Sequence, residues 1–217
     1  MKVSSIEHLK ICAIRETLEE TGIWPFDNKV RDFNYNENHF EEFLLSNRIN
    51  IQKLLHDQIR YWFTWRTPEN ERVFKKQWDM SIFVTEVNDF SKRKNYSSPE
   101  AVETEWYDID FVLKKCKNRE IHLAPPQWFM LKEMEKIQDF STFFKNLSET
   151  EFPIIIQPKL ICDENESEWH SVLPGDHFYE DSENLSTENV KSPAHRLRRI
   201  KMKRDGEVFY DFQMIER

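Results

Sequence analysis

The chain has 217 residues and a formal net charge of −8, with 32% charged and 14% aromatic residues. This length suits one domain, or one domain with appendages, and 17 Phe and 7 Trp can build a substantial core. The negative charge argues against nucleic-acid binding, because phosphate backbones are held by clustered lysine and arginine. Three widely spaced cysteines (Cys12, Cys116 and Cys162) form no disulfide framework, which indicates a reducing compartment.

Targeting and membrane signals are not readable in the sequence. No apolar run approaches the roughly 20 residues that span a bilayer, and the N-terminus lacks the apolar core of a signal peptide. The C-terminal QMIER does not resemble a peroxisomal SKL address. We therefore predict an intracellular protein with no membrane span. With only three glycines in the chain, a Gly-rich phosphate loop is excluded.

The first predicted helix covers about Ser5 to Thr21, and Gly22 is its C-terminal stop. Ile11, Ile14 and Leu18 give this helix an apolar stripe that predicts a buried face. A loop is predicted to follow over 24–36. Next, residues 37–58 are predicted to form one broken helix or two short amphipathic helices.

The middle of the chain alternates between strand and helix patterns. Segments rich in β-branched and aromatic residues predict three strands, at 59–68, 77–87 and 102–110. Helical patterns predict three helices, at 110–118, at 124–140 with a proline pair at its start, and at 141–149. From Phe152 onward the pattern is β again, over 152–163, 168–181 and 195–214, with a polar connection at 180–193. Asp205-Gly206 predicts a hairpin within the last segment.

Three glutamates on the first predicted helix are the main candidate site. Glu16, Glu19 and Glu20 follow i, i+3, i+4 spacing, so a helix brings them to one side. Like charges at this spacing cost roughly 0.2–0.5 kcal/mol per pair unless a cation neutralises them. Arg15 can pair with Glu19, but one arginine does not balance three glutamates. Carboxylates are the ligands that Mg²⁺ prefers, so the cluster is either a cation site or a solvated face beside Arg15 and Lys10.

These glutamates belong to a longer pattern. Glu7, seven further residues and then RETLEETGI (15–23) resemble the Nudix box, whose core is E-x7-R-E-U-x-E-E-x-G-U. A chance match of this quality is on the order of one in ten thousand or rarer. Ile23 fits the closing apolar position, and Thr17 stands where an aliphatic residue is usual. The matching charged and glycine positions are Glu7, Arg15, Glu16, Glu19, Glu20 and Gly22.

The resemblance implies a hydrolase that cleaves a nucleoside diphosphate linked to another moiety. By that analogy Glu16, Glu19 and Glu20 would hold Mg²⁺ or Mn²⁺, and Arg15 and Glu7 would brace the glutamates and the loop–helix geometry. Glu16, Glu19 and Arg15 are accordingly the candidate catalytic residues. The implied fold is α+β, a Nudix-type mixed sheet packed between helices. We predict a Nudix domain over 1–147, with a helical insertion at about 37–58, and a β-rich extension over 148–217.

Three later segments of the chain narrow the resemblance. They are WFTWRTPENERVFKKQWDMSIFV (62–84), HLAPPQWFMLKEM (122–134), and LPGDHFYED (173–181) followed by HRLRRI (195–200). They resemble segments of one Nudix subfamily, the nucleoside diphosphate-linked moiety X motif nineteen proteins. The resemblance implies a coenzyme A diphosphatase that acts on CoA or acyl-CoA and releases 3′,5′-ADP and (acyl-)4′-phosphopantetheine. It also implies a peroxisomal or mitochondrial location.

The chain departs from the family pattern in two places. The opening glycine of the box belongs six residues before Glu7, where Met1 stands, so we expect a domain that is truncated at its N-terminus. Where relatives have R-[FY]-D-T, this chain has QWDM over 77–80, which predicts altered substrate contacts. Two alternative functions stay open. One is a Nudix hydrolase for ADP-ribose or nucleotide sugars, and the other is a non-catalytic binding protein derived from this fold.

Other candidates have both a functional and a structural interpretation. Glu103 and Glu105 share one face of a predicted strand and would supply a further ligand or base, or a solvent face. Trp62, Trp65 or Phe83 would stack on adenine, or belong to the core.

The remaining candidates are polar. The basic run at 195–204 would bind an anionic group or form a solvated edge strand. His170, His177 and His195 lack ligand spacing, so a zinc site is not predicted. Substrate-binding residues are not identifiable from the sequence.

Overall fold

The computed structural model describes residues 5–24, 26, 40–70, 73–87, 105–147, 154–181, 186–187, 197–205 and 208–216. These residues contain six helices and seven strands, which make the fold α+β, as predicted. The helices are α1 Ser5–Thr21, α2 Phe40–Ser46, α3 Ile51–Asp57, α4 Ile109–Lys117, α5 Pro125–Glu135 and α6 Phe140–Leu147. The strands are β1 Ile59–Arg66, β2 Asp79–Thr85, β3 Ile155–Ile156, β4 Lys159–Cys162, β5 Trp169–Val172, β6 Arg198–Asp205 and β7 Val208–Glu216.

The described strands form two sheets. One has the order β2-β1-β3, with β1 and β3 parallel. The other has the order β4-β5-β6-β7, and each neighbouring pair is antiparallel. The predicted final hairpin is confirmed by the pairing of β6 with β7 from Arg198↔Glu216 to Asp205↔Val208. Gly206 itself lies outside the described residues.

Two compact units divide the chain. Unit 1 comprises 1–62, 81–106 and 141–151, and unit 2 comprises 63–80, 107–140 and 152–217. The domain division at residue 148, and the Nudix identity of the fold, stay predictions.

Helix α1 in unit 1 confirms the predicted first helix and its stop. Gly22 has φ 62°, the left-handed conformation that glycine adopts without strain, and its N–H donates to Leu18 O at 2.8 Å. The predicted stripe is also confirmed, since Ile14 and Leu18 are buried and Ile11 packs beside them. Their buried neighbours are Trp24, Phe40, Phe43, Leu55 and Ile59. Of the loop predicted over 24–36, residues 25 and 27–36 lie outside the described residues.

The segment predicted as one or two helices at 37–58 forms two. Arg48 takes a left-handed φ of 51° after α2, which ends that helix. Asn50 then caps α3, because its side-chain oxygen accepts the Lys53 N–H at 3.2 Å. The break therefore has a local cause.

The strand predicted at 102–110 is wrong in its described part. Residues 105–108 have no regular structure, and Ile109 begins α4. Asp108 is extended at the N-cap position and Asp110 lies in the first turn, where a carboxylate stabilises the helix dipole. Tyr107 and Phe111 also stack with ring centroids 5.3 Å apart, a contact that depends on helical spacing. Residues 102–104 lie outside the described part of the chain.

Two further boundaries differ from the prediction. The helix predicted over 124–140 ends at Glu135, and a separate helix, α6, starts at Phe140. The segment at 152–163 yields two strands in different sheets, β3 and β4, with Gln157 and Pro158 between them. Proline lacks the N–H that a continued ladder requires, so the chain changes sheet at this point.

The basic run at 195–204 is not an edge strand. Its described part forms β6, which lies between β5 and β7. Arg199 is fully buried, as are its apolar neighbours Leu197 and Ile200. The positions of Lys and Arg suggested a solvated strand, but a buried acid from another segment neutralises Arg199, as described below.

Candidate functional site

The predicted cation site lies on the last two turns of α1. Arg15 pairs with both neighbouring acids: it contacts Glu16 directly, and its Nη1 is 3.9 Å from Glu19 Oε2. The Glu16 side chain is 43% exposed and that of Glu19 is 21% exposed. The structure therefore places the candidate catalytic residues Arg15, Glu16 and Glu19 side by side, with Glu20 next along the helix and half-buried.

Lys10 does not serve as a neighbour that neutralises the glutamates. Its ammonium donates to the Leu55 carbonyl of α3 at 2.7 Å. Burial lowers the pKa of Lys10, the nearby Arg60 lowers it further, and Glu7 opposes both. Lys10 is therefore engaged with α3, and of the two cations in the solvated-face interpretation it is Arg15 that contacts the glutamates.

The donor chemistry of this cluster fits Mg²⁺ or Mn²⁺. Glu16, Glu19 and Glu20 offer hard carboxylate oxygens within one helical turn, and Glu16 is exposed enough to change rotamer. In their present rotamers, no three His, Cys, Asp or Glu side chains of the described segments form a metal-binding group.

The other candidate residues do not join this cluster in the described structure. Glu105 is exposed, and Glu103 lies outside the described residues. Trp62 packs edge-to-face on Phe143 at 5.3 Å, which supports the structural interpretation of that tryptophan. Phe83 likewise packs against the buried cluster of unit 1.

A second candidate site, which the sequence did not reveal, is a cavity of about 230 Å³ in unit 2. It gathers residues from two of the segments that carried the subfamily resemblance: WRTP and QWDM from 62–84, and APPQ from 122–134. These two segments are far apart in the chain, so local patterns could not place them together. The lining comprises Trp65, Thr67, Pro68, Phe74, Trp78, Met80, Ala124, Pro125, Pro126, Leu160, Ser171, Met202 and Phe209.

Polar contacts fix the walls of this cavity. Arg66 donates two hydrogen bonds to Asp79, from Nε at 2.7 Å and Nη2 at 2.8 Å, and holds the end of β1 to the start of β2. The Arg66 hydrogen bond keeps the pKa of Asp79 below its ordinary value. Gln127 accepts the Ala124 N–H at 2.8 Å and closes the start of α5. Arg66, Asp79 and Gln127 therefore have structural partners of their own.

The LPGD segment contains the acid that neutralises Arg199. Asp176 and Arg199 have fully buried side chains, joined by hydrogen bonds of 2.8 and 3.1 Å. Asp176 also accepts the N–H groups of Arg198 and Phe178, at 2.9 and 3.0 Å. Burial by itself raises the pKa of Asp176, but the hydrogen bonds from Arg199 and from the two backbone N–H groups, together with the Arg199 charge, outweigh it and hold the pKa below its ordinary value. This pair fastens the LPGD turn to β6.

His170 is buried and pairs with one acid. Its Nε2 is 2.8 Å from Glu168 Oε1, and Lys201 contacts the other Glu168 oxygen. Burial lowers the pKa of His170, as do the nearby Arg199 and Lys201 charges, whereas Glu168 opposes the shift. His177 is exposed, and His195 lies outside the described residues, so neither residue is shown to join His170 in the described part of the chain.

The lowered pKa of His170 predicts pH-dependent stability. The unfolded chain binds a proton at this residue near the ordinary pKa of 6.5, before the folded chain does. Stability is therefore complete above pH 6.5 and falls as the pH drops from there toward the folded pKa. We expect the urea midpoint to decrease between pH 7 and pH 5.5, and this decrease to be smaller in His170→Gln. An equal decrease in both proteins would contradict the prediction.

None of the helices in the described segments is long and apolar enough to cross a membrane. Comparisons with protein-family models, curated proteins and solved structures give no match to this chain.

Proposed function

We propose that the chain is a metal-dependent Nudix-type diphosphatase whose substrate is CoA or acyl-CoA. The observation that carries the proposal is the arrangement on α1, where Arg15 pairs with Glu16 and Glu19. This is the bracing that the Nudix resemblance implies for that arginine. Gly22 supports the proposal too, because the pattern's glycine ends the helix in a conformation that favours glycine. By the same resemblance we propose a peroxisomal or mitochondrial location.

The proposed reaction is hydrolysis of a phosphoanhydride. A water oxygen bonds to one phosphorus, and the bond from that phosphorus to the bridging oxygen breaks. The bridging oxygen stays with the other product, so CoA and water give 3′,5′-ADP and 4′-phosphopantetheine. Mg²⁺ or Mn²⁺ held by Glu16, Glu19 and Glu20 would supply positive charge to the phosphate oxygens. Arg15 holds two of these carboxylates in place, which reduces the entropy lost when they are ordered.

The cavity of unit 2 supports the subfamily assignment independently of α1. Residues from WRTP and APPQ, which belong to two separate segments that resemble the subfamily, line it together. This is expected if the two segments share a ligand-binding role. Trp78 and Met80 of QWDM, where the chain departs from the subfamily pattern, line the same cavity. The cavity therefore supports the proposed substrate class, whereas the residues of α1 support the proposed hydrolytic chemistry.

The test is a direct assay of the purified 217-residue chain. We expect Mg²⁺-dependent release of 3′,5′-ADP from CoA, measured by chromatography, and loss of product in EDTA. Parallel reactions with ADP-ribose and a nucleotide sugar test the alternative diphosphates. Hydrolysis of these but not of CoA would keep the class and overturn the substrate. No hydrolysis of any diphosphate by a folded chain would overturn the proposal and favour a binding protein.

A further inference from the structure

The cavity of unit 2 is large enough to hold a ligand. Its volume is about 230 Å³. A dry cavity of ~150 Å³ in another protein binds benzene, so a larger apolar group fits here. At ~30 Å³ per water-sized atom, the space corresponds to about eight carbon atoms. Close-packed protein interiors have few spaces of this size, which makes the cavity a candidate binding site.

The cavity has a buried end and an open end. The buried wall is formed by residues of the core cluster of unit 2: Leu160, Met202 and Phe209. Trp78 and Met80 also line the cavity, yet they are 67% and 37% exposed. A ligand can therefore enter past Trp78 and Met80 and extend toward Met202.

The lining offers little to a polar ligand. Among the described lining residues, only Thr67 and Ser171 carry a side-chain hydroxyl, and no lining side chain is charged. The Thr67 hydroxyl already donates to Trp78 O at 3.2 Å and accepts the Trp78 N–H at 3.1 Å. A group that needed several hydrogen bonds would lose its hydration without compensation. The part of a ligand inside the cavity must therefore be apolar.

A cation lies beside the open end. Lys76 Nζ is 6.0 Å from the centroid of the exposed Trp78 ring. Lys76 is itself exposed, and it forms no ion pair with any residue in the described part of the chain. An anionic group attached to the apolar part of a ligand would meet this positive charge as it leaves the cavity.

We propose that the cavity binds an aliphatic chain of about eight carbons that carries an anionic head. The chain occupies the space between Trp78 and Met202, and the head lies beside Lys76. Two ligands share this chemistry, a free medium-chain carboxylate and a medium-chain acyl group on a phosphate-bearing thioester carrier. Binding of the acyl carrier would deepen the proposed function and rests on it, because acyl-CoA is the proposed substrate, whereas binding of the free carboxylate goes beyond it. All the residues that carry the proposal belong to unit 2.

Calorimetric titration of the full chain with octanoate, butanoate and 1-octanol tests the proposal. We expect octanoate to bind at least 50-fold more tightly than butanoate, since each buried methylene contributes about fourfold. Displacement of octanoate by octanoyl-CoA, but not by CoA, would identify the acyl carrier as a ligand. Octanoate binding without displacement would identify the free carboxylate. Octanoate that binds no more tightly than butanoate would overturn the proposal.

Variants of the lining locate the binding. Ala124→Leu fills the cavity, so we expect at least tenfold weaker octanoate binding. The control is Trp106→Ala, which changes an exposed tryptophan outside the lining and should leave the octanoate affinity unchanged. Met202→Ala lengthens the cavity and shifts the preferred chain by about two carbons. Lys76→Gln reduces the preference for octanoate over octanol by about two- to fivefold.

Near-UV circular dichroism establishes that each variant is folded. Unchanged octanoate affinity in folded Ala124→Leu, with an unchanged optimum in Met202→Ala, would overturn the assignment. A competing outcome is that the chain self-associates. If Trp78→Ala abolished that self-association and octanoate did not disturb it, the cavity would be assigned to a second copy of the chain. That result would also overturn the proposal of an aliphatic ligand.

Discussion

Glu19→Gln and Glu20→Gln are each expected to lower Mg²⁺-dependent release of 3′,5′-ADP from CoA by about 100-fold or more. Glutamine keeps the shape of the side chain but removes the negative charge that a divalent cation requires. The fold should be preserved, because the buried face of α1 is formed by Ile14 and Leu18. Rates at saturating CoA over a range of Mg²⁺ concentrations measure the effect.

The matched control is Glu41→Gln, which changes an exposed glutamate in the first turn of α2. Activity within twofold of the unchanged chain is expected there. Mn²⁺ binding, followed by electron paramagnetic resonance, supplies a second readout that does not depend on turnover. We expect at least tenfold weaker Mn²⁺ binding in Glu19→Gln and Glu20→Gln. Full activity and full Mn²⁺ binding in both variants would refute the assignment of the cation site.

Asp176→Ala is expected to lower the free energy of unfolding by about 3–5 kcal/mol. The substitution leaves the Arg199 guanidinium buried without its acid, and burying an unpaired charge is costly. It also removes the acceptor for the Arg198 and Phe178 N–H groups. Urea denaturation followed by tryptophan fluorescence measures the change, because Trp169 belongs to the core of the same unit.

Two further variants separate charge burial from general sensitivity. Glu164→Gln changes an exposed carboxylate in unit 2 and should alter stability by no more than about 0.5 kcal/mol. The double variant Asp176→Ala/Arg199→Met removes both charges, so we expect it to recover part of the loss. A loss below about 1 kcal/mol in Asp176→Ala would show that water or another acid compensates Arg199.

Where the signals in the sequence are local, the structure agrees closely with the prediction made from them. The spacing of Ile14 and Leu18, with Gly22 behind them, predicted α1 and its end correctly. The proline pair at 125–126 likewise predicted the start of α5. In these cases the deciding interactions join residues within one or two helical turns, so the sequence contains all of them.

Where the structure of a stretch depends on partners far away in the chain, the prediction from the sequence was wrong or incomplete. The β-rich pattern at 152–163 does not show that Pro158 divides it between two sheets, since each strand's partner lies elsewhere in the chain. At 102–110 the β-branched and aromatic composition suggested a strand, but the described part is an irregular segment that leads into helix α4.

The candidate sites divide in the same way. The sequence by itself determined the carboxylate cluster of Glu16, Glu19 and Glu20, because one helix is enough to bring these residues together. Only the tertiary structure could decide that Arg199 is buried, since its acid, Asp176, lies 23 residues away in the chain. It also decided the apolar cavity, whose walls come from residues as far apart in the chain as Trp65 and Phe209 and exist only once the strands and helices have packed.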